Sequence, residues 1–200
     1  MKQSRLSMKL LNSLLPVLLA FVIGGAVILA IGENPLEAYG TMLGKSLFTL
    51  KGLGNTLHYA SPLILTGLAI AITFKANIFN MGVEGQLLLG GFFSGIVGAS
   101  LSTGNAIVDK LLCFAVGAVC GMLFALIPAL LKAYFHVDEM VVTLTFNYAM
   151  IKILEYLSSG PFREPGVGYV STPAISSSAM FNRVGSSRLT AFFFVALAIF

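Results

Sequence analysis

Long apolar segments are the feature of this sequence that most restricts its fold. Hydrophobic residues make up 57% of the 200 residues and charged residues 10%, against about 25% charged residues in a typical soluble domain. A soluble protein needs a polar surface, and this chain has too few polar residues to build one. A bilayer core of about 30 Å is crossed by about 20 apolar residues in an α-helix. The sequence therefore predicts an all-α, polytopic integral membrane helix bundle.

About six segments are long and apolar enough, or nearly so, to cross a membrane. The predicted spans are Leu14–Gly32, Leu57–Phe74, Gln86–Leu101, Leu111–Leu131, Met140–Leu157 and a last one that runs from Leu189 to Phe200. The last segment would rise only about 18 Å as a helix, which is short of a full crossing. We therefore expect residues 1–200 to form one incomplete transmembrane domain, and the sequence to be the N-terminal piece of a longer chain.

The segments outside the predicted spans have patterns of their own. In 33–55 the apolar residues recur at three- and four-residue steps, which predicts an amphipathic helix between two spans. The segment 158–188 is rich in Ser, Gly and Pro, which predicts a loop outside the lipid.

The orientation in the membrane is suggested by the N-terminal tail. Counting Lys and Arg in the loops favours neither orientation, but the tail 1–13 is basic without an acid. Because the first span usually dominates, we expect 1–13 to be cytoplasmic and 158–188 to be extracytoplasmic.

Two short motifs resemble enzyme sites but lack what those sites need. The segment 40–46 reads GTMLGKS, with three residues between its glycines where a phosphate-binding loop has four. His136, Asp138 and Glu139 lie together, but the only other histidine is His58, and a metal site needs several converging ligands. Asp138 is instead expected to cap a helix, with Glu139 in its first turn. We therefore predict no catalytic residue, no metal site and no cofactor.

Small residues repeat at four-residue spacing in the third and fourth predicted spans. This spacing lets two helix backbones approach closely in a membrane. The glycines predicted to pack helices together are Gly91, Gly95, Gly98, Gly117 and Gly121. Because such motifs are common in membrane bundles, they predict packing and carry no information about a substrate.

The fifth predicted span carries polar residues on two faces. One face has Glu139, Thr143 and Asn147, and the roughly opposite face has Tyr148, Lys152 and Glu155. Unpaired polar groups in lipid cost several kcal/mol each, so neither face is expected to point at lipid. Two readings stay open: hydrogen bonding between helices, with Lys152 paired to Glu155, or a lining for a polar pathway.

The segment 79–86, which reads FNMGVEGQ, interrupts the apolar sequence after the second span. Gly82 and Gly85 allow backbone turns that other residues resist. Transporters bind ligands at broken helices near the membrane middle, and the alternative is an interfacial loop. On the strength of their polarity, we hypothesise a substrate pathway that includes Asn80, Glu84, Gln86, Glu139, Thr143 and Asn147.

The stretch NMGVEGQ at 80–86 resembles the signature of permease subunits of ABC importers in the ribose and branched-chain amino acid group. Its ending EGQ most resembles the nucleoside (guanosine-type) permeases. The segments 61–68 (SPLILTGL), 137–148 (VDEMVVTLTFNY) and 160–162 (GPF) extend the resemblance in order and spacing. One departure is Met81, where Ile is more usual, and the two side chains have similar volumes.

This resemblance implies a permease subunit that hydrolyses no ATP itself, in a bacterial-type inner (plasma) membrane. It implies a second related permease subunit, two ATP-binding subunits or domains, and an extracytoplasmic substrate-binding lipoprotein. No nucleic-acid partner is expected, because Lys and Arg are scattered along the sequence and do not form a basic cluster beyond the N-terminal tail. The alternatives are a permease for simple sugars of the same superfamily and a self-sufficient secondary transporter. A secondary transporter needs an ion-coupling acid deep in a span, and Glu155 is the only acid near that description.

Overall fold

The computed structural model describes the backbone of residues 2–199 and the side chains of residues 14–194 and 197. Within this part of the chain the regular structure is helical, with one isolated bridge between Arg183 and Thr190. The helices are α1 (Lys2–Ala30), α2 (Pro35–Leu47), α3 (Leu50–Lys75), α4 (Val83–Ser100), α5 (Ala106–Phe135), α6 (Glu139–Ser159) and α7 (Phe192–Ile199). The predicted all-α class is confirmed.

Three helices are individually long and apolar enough to cross a membrane, namely α3, α5 and α6. The segment Leu14–Ala30 of α1 meets the same measure together with α2, although the two helices are bent by 119° at the break between them. By length and composition the described residues thus offer three spans, or four, against about six predicted. α4 is not among them because its 18 residues include Glu84 and Gln86 in the first turn, and α7 has eight residues.

The chain divides into two compact units, and the first comprises residues 1–56 and 185–187. In this unit Asn34 caps α2 by accepting a hydrogen bond from the Leu36 amide at 3.0 Å. The Tyr39 hydroxyl donates to the Phe21 carbonyl of α1 at 2.7 Å. A Cβ on Gly24 would lie 2.8 Å from that hydroxyl, so this glycine lets α1 and α2 meet. The segment 33–55 thus holds α2 and, after a break at 48–49, the first turns of α3.

The second unit comprises residues 57–184 and 188–200, and α4, α5 and α6 form its centre. α4 runs antiparallel to α5, since Gly98 lies near Cys113 while Gly121 lies near the Gln86 carbonyl. The backbones come closest at Gly90, where an added Cβ would lie 2.6 Å from the Gly117 carbonyl oxygen.

The predicted packing glycines therefore divide into two groups. Gly98, Gly117 and Gly121 face a neighbouring helix, whereas Gly91 and Gly95 have nothing within 4 Å of an added Cβ. The close-packing position on α4 is Gly90, one residue earlier than the sequence pattern indicated, because the helix turns Gly91 about 100° away from α5.

The connections of the second unit gather at its two ends. Ser176 of the loop after α6 donates to the Gly98 carbonyl from its amide at 2.9 Å and from its hydroxyl at 2.8 Å. This fixes the loop where α4 ends and α5 begins. In the same region Asp109, which is 2% exposed, accepts from the amide and the hydroxyl of Thr103 at 2.9 and 2.7 Å. The α3–α4 and α5–α6 connections lie at the opposite end, where Glu139 contacts Phe79.

Candidate functional site

The backbone between α3 and α4 leaves the helical conformation before the signature residues. Asn77 has a positive φ of 55°, a conformation that Asn tolerates better than most residues. The amide of Ile78 then bonds back to the Thr73 carbonyl at 2.9 Å, closing the end of α3. Gly82 precedes α4 without a side-chain cap, and its amide instead donates to the Asn80 side-chain oxygen at 2.8 Å.

Two side chains of α6 satisfy the backbone of this non-helical segment. Thr143 Oγ1 accepts a hydrogen bond from the Met81 amide at 3.0 Å. Asn147 Nδ2 donates to the Met81 carbonyl at 2.6 Å, and Asn147 Oδ1 accepts from the Gly85 amide at 2.8 Å. Thr143 and Asn147 are 4% and 5% exposed. Backbone groups that are buried without a hydrogen-bond partner raise the free energy of the folded state. The hydrogen bonds from these two residues therefore stabilise the non-helical segment in the buried interior. We call Thr143 and Asn147 the α6 clamp.

The segment reaches well along α6. Asn147 lies eight residues, or about 12 Å, after Glu139 at the start of that helix. α4 accordingly begins beside the interior of α6, and Gln86 near its start lies against Gly121, midway along the 30 residues of α5. The non-helical segment is therefore held by protein groups, as the broken-helix interpretation requires, and this contact alone does not decide between a broken helix and an interfacial loop.

The signature glycines are needed for this close approach. A Cβ on Gly85 would lie 2.7 Å from Asn147 Oδ1 and 3.0 Å from the ring of Phe124. A Cβ on Gly82 would lie 3.0 Å from Asn80 Oδ1 and 3.3 Å from the Thr143 Cβ. Neither glycine is among the residues with a positive φ, so lack of space, and not an unusual backbone conformation, accounts for them.

Glu139 links three parts of the unit. Its Oε1 accepts from Lys132 Nζ of α5 at 2.5 Å and, more weakly, from the Phe79 amide at 3.4 Å. The neighbouring Asp138 accepts from the amides of Met140 and Val141 at 2.8 and 3.2 Å, so the predicted helix cap is confirmed. Glu139 thus ties the start of α6 to the end of α5 and to Phe79, the residue just before the signature segment 80–86.

The remaining predicted pathway residues lie on α4 or just before it. The amides of Asn80 and Gln86 contact each other at 3.4 Å. Glu84 is exposed and, among the residues that the structure describes, forms no hydrogen bond or ion pair. The structure thus brings Asn80, Gln86, Glu139, Thr143 and Asn147 together around one backbone segment and leaves Glu84 apart. Sequence reasoning missed Lys132, for which the only signal was its position seven residues before Glu139 across a short turn.

Gly91 and Gly95 lie on a face of α4 where nothing is within 4 Å of an added Cβ. We call this the uncovered face of α4, and two cavities flank it. The first, of about 720 Å³, is bounded by α4, α5, His58 and the loop before α7, and Gln86 is one of its lining residues. Its charged lining residues are all basic: Lys110, Arg183 and Arg188. Lys110 lies 5.7 Å from the ring of Phe181. We call this the basic cavity.

The second cavity, of about 580 Å³, lies between α4, α6 and the loop around Pro173. Its walls are mostly apolar, with Ser158 and Thr172 as polar uncharged residues, and Glu155 is the charged residue among those that line it. We call this the Glu155 cavity. Leu87 and Gly91 border both cavities, so the uncovered face of α4 separates them.

Comparison with known proteins shows that the sequence is similar to permeases over most of its length. Residues 52–200 match the family described as branched-chain amino acid transport system / permease component. The glucose ABC transporter permease protein TsgB13 of Haloferax volcanii is 38% identical over 149 residues, which cover 74% of this chain and 39% of that protein. The guanosine ABC transporter permease protein NupP of Bacillus subtilis is 33% identical over 150 residues, or 75% of this chain and 43% of that protein.

The nucleoside ABC transporter permease protein NupB of Lactococcus lactis is also similar, with 30% identity over 156 residues, which cover 78% of this chain and 43% of that protein. The matched regions thus span less than half the length of these curated relatives. No solved structure matches the chain significantly.

Proposed function

The chain belongs to the branched-chain amino acid transport system / permease component family, and from that premise we propose that it forms part of the translocation pathway of an ABC importer for nucleosides. It is a polytopic helical membrane protein by its family and its apolar helices. The observation that carries the proposal is the signature segment, whose irregular backbone is held inside the bundle by the α6 clamp. A backbone of this kind is what transporters place beside a bound ligand.

Nucleosides are the proposed substrates because two kinds of observation favour them. The stretch 80–86 ends in EGQ, the form that resembles nucleoside permeases, and the relatives NupP and NupB are described as guanosine and nucleoside permeases. The second candidate is a simple sugar, which the similarity to the glucose permease protein TsgB13 favours.

The remaining parts of the assembly follow from the same proposal. ATP would be hydrolysed by two separate ATP-binding subunits, a second related permease would complete the pore, and an extracytoplasmic lipoprotein would deliver the nucleoside. The N-terminus would lie in the cytoplasm. The basis for this orientation is the N-terminal tail 1–13, which is basic without an acid.

The six polar residues predicted as a pathway take different roles in this proposal. Glu84, on the face of α4 that separates the two cavities, faces the route, whereas Gln86 lies in the wall of the basic cavity and contacts Asn80. Asn80, Glu139, Thr143 and Asn147 act as positioning residues, because their hydrogen bonds are made to the signature backbone or to Gln86.

Uptake of radiolabelled guanosine by cells that carry the full-length permease and its partner subunits tests the proposal. We expect saturable uptake that needs the ATP-binding subunit, persists in the presence of an uncoupler while ATP is maintained, and is competed by other nucleosides but not by glucose. Competition by glucose alone would favour the sugar permease. Uptake that is abolished by the uncoupler and indifferent to the ATP-binding subunit would favour a secondary transporter.

A further inference from the structure

The face of α6 opposite the clamp is polar and exposed. Tyr148 is 67% exposed, and the side chains of Lys152 and Glu155 are 76% and 59% exposed. At about 100° per residue, these three positions lie within about 60° of one another around the helix. Thr143 and Asn147, on the other side, are almost fully buried. α6 therefore has two polar faces, and only the inner one is used to hold the described part of the fold together. We call Tyr148, Lys152 and Glu155 the outer polar face of α6.

Lipid is an unfavourable environment for this face. α6 is one of the helices that is long and apolar enough to cross a membrane. Tyr148 lies nine residues after Glu139 and eleven before Ser159, so it is near the middle of the helix and its hydroxyl cannot reach either end. Among the described residues that hydroxyl has no hydrogen-bond partner. Intramembrane polar and ionisable groups of this kind face the bundle interior or a water-filled cavity.

The outer polar face continues into a space that already exists in the structure. Glu155 and Ser158 are part of the wall of the Glu155 cavity, whose opposite wall is the uncovered face of α4. Glu84 lies on α4 one turn before Leu88, which lines this cavity. The polar residues of α6 and the one exposed acid of α4 thus flank the same side of the second unit.

The charge of the outer polar face is balanced. Lys152 Nζ lies 2.8 Å from Glu155 Oε2, one turn along the same helix. A pair of opposite charges gives the face hydrogen-bond donors and acceptors without a net charge, and Tyr148 adds an aromatic ring with a hydroxyl. Rings of like-charged side chains, one of the means by which pores select ions, are not provided by this face.

We propose that the outer polar face of α6 lines the water-filled route through the permease, and that the route is matched to a neutral polar solute with a flat ring. Such a solute can stack on the Tyr148 ring and exchange hydrogen bonds with Lys152 and Glu155. This proposal rests on the proposed function, since a nucleoside is a solute of this class. It assigns the route to the face opposite the clamp.

Cysteine accessibility in the full-length permease, assembled with its partner subunits, tests the proposal. Tyr148→Cys is compared with Ala149→Cys, and Lys152→Cys with Ile153→Cys. Each pair differs by about 1.5 Å in depth but by about 100° around the helix. A charged, membrane-impermeant thiol reagent is applied, and modification is measured by mass spectrometry of the α6 peptide. α6 has no native cysteine, so Cys113 and Cys120 can stay in place.

We expect positions 148 and 152 to be modified at least tenfold faster than positions 149 and 153. Saturating nucleoside should slow modification at position 148 at least threefold. Equal rates within each pair, or no modification at any of the four positions, would overturn the proposal, because the face would then be covered by lipid or by other helices. Guanosine uptake is measured in parallel on the unmutated transporter, so that failure of labelling with normal uptake leaves the proposed function intact.

Discussion

Asn147 and Gly85 are in contact across the α4 and α6 interface in a way that leaves no room for a side chain. The Asn147 side-chain oxygen accepts a hydrogen bond from the Gly85 amide at 2.8 Å, and a Cβ on Gly85 would lie 2.7 Å from the same oxygen. The hydrogen bond can therefore form at this distance because Gly85 has no side chain.

Asn147→Leu should destabilise the protein because it removes both partners that the α6 clamp offers through this residue. The Gly85 amide and the Met81 carbonyl would each lose a hydrogen bond in a buried site. A buried polar group without a partner costs about 1–3 kcal/mol, so a loss of about 2–6 kcal/mol is expected. Thermal unfolding in detergent, followed by size exclusion, measures this change. The matched control is Ala149→Leu on the exposed side of α6, and equal melting temperatures for the two variants would contradict the clamp.

Gly85→Ala and Gly90→Ala should both lower stability, whereas Gly91→Ala should not. The added methyl group would meet Asn147 at position 85 and the Gly117 carbonyl oxygen at position 90, while position 91 has open space. Overpacking of this kind typically costs about 1–3 kcal/mol. Melting temperatures of the three variants, compared at equal protein concentration, test the prediction. A Gly91→Ala protein as unstable as Gly90→Ala would show that a covering helix packs on the face of α4 that is open in the described residues.

The sequence predicted where the helices lie, but it did not predict which residues form hydrogen bonds between them. The predicted spans Leu111–Leu131 and Met140–Leu157 lie inside α5 and α6, because a long apolar segment with few charges has one stable form in a membrane. It could not reveal that Thr143 and Asn147 bond to Met81 and Gly85, more than 60 residues away, because a hydrogen bond between helices leaves no periodic pattern. The spacing of glycines likewise predicted that small residues pack helices together, but it pointed to Gly91 where the contact is at Gly90.

Either single charge reversal, at Lys132 or at Glu139, should lower stability. Exchanging the two residues should restore part of that lost stability. Lys132 Nζ lies 2.5 Å from Glu139 Oε1, with side-chain exposures of 38% and 17%. Because the pair is partly exposed, its contribution to stability is expected to be small. Lys132→Glu and Glu139→Lys would each bring like charges together and lower the melting temperature. The double variant should regain at least half of the loss, although an ammonium group at position 139 cannot accept the bond that Glu139 accepts from the Phe79 amide. Additive losses in the double variant would contradict the pairing.

Glu84→Gln should leave stability almost unchanged and still reduce nucleoside uptake. Glu84 is exposed, and within the described part of the chain no hydrogen bond or ion pair holds it. Exposed substitutions usually change stability by less than about 0.5 kcal/mol. A role in the route predicts at least a fivefold drop in the rate of guanosine uptake at equal amounts of protein in the membrane.

The comparison of Glu84→Gln with Asn147→Leu separates a pathway residue from a positioning residue. Asn147→Leu should lower the melting temperature and uptake together, because Asn147 acts through the backbone that it holds. Glu84→Gln should instead reduce the rate per folded molecule while the melting temperature stays within about 2 °C of the unmutated protein, which is the shift expected of a change below about 0.5 kcal/mol in a protein of this size or larger. Normal uptake with Glu84→Gln would remove Glu84 from the route and leave the α6 clamp unaffected.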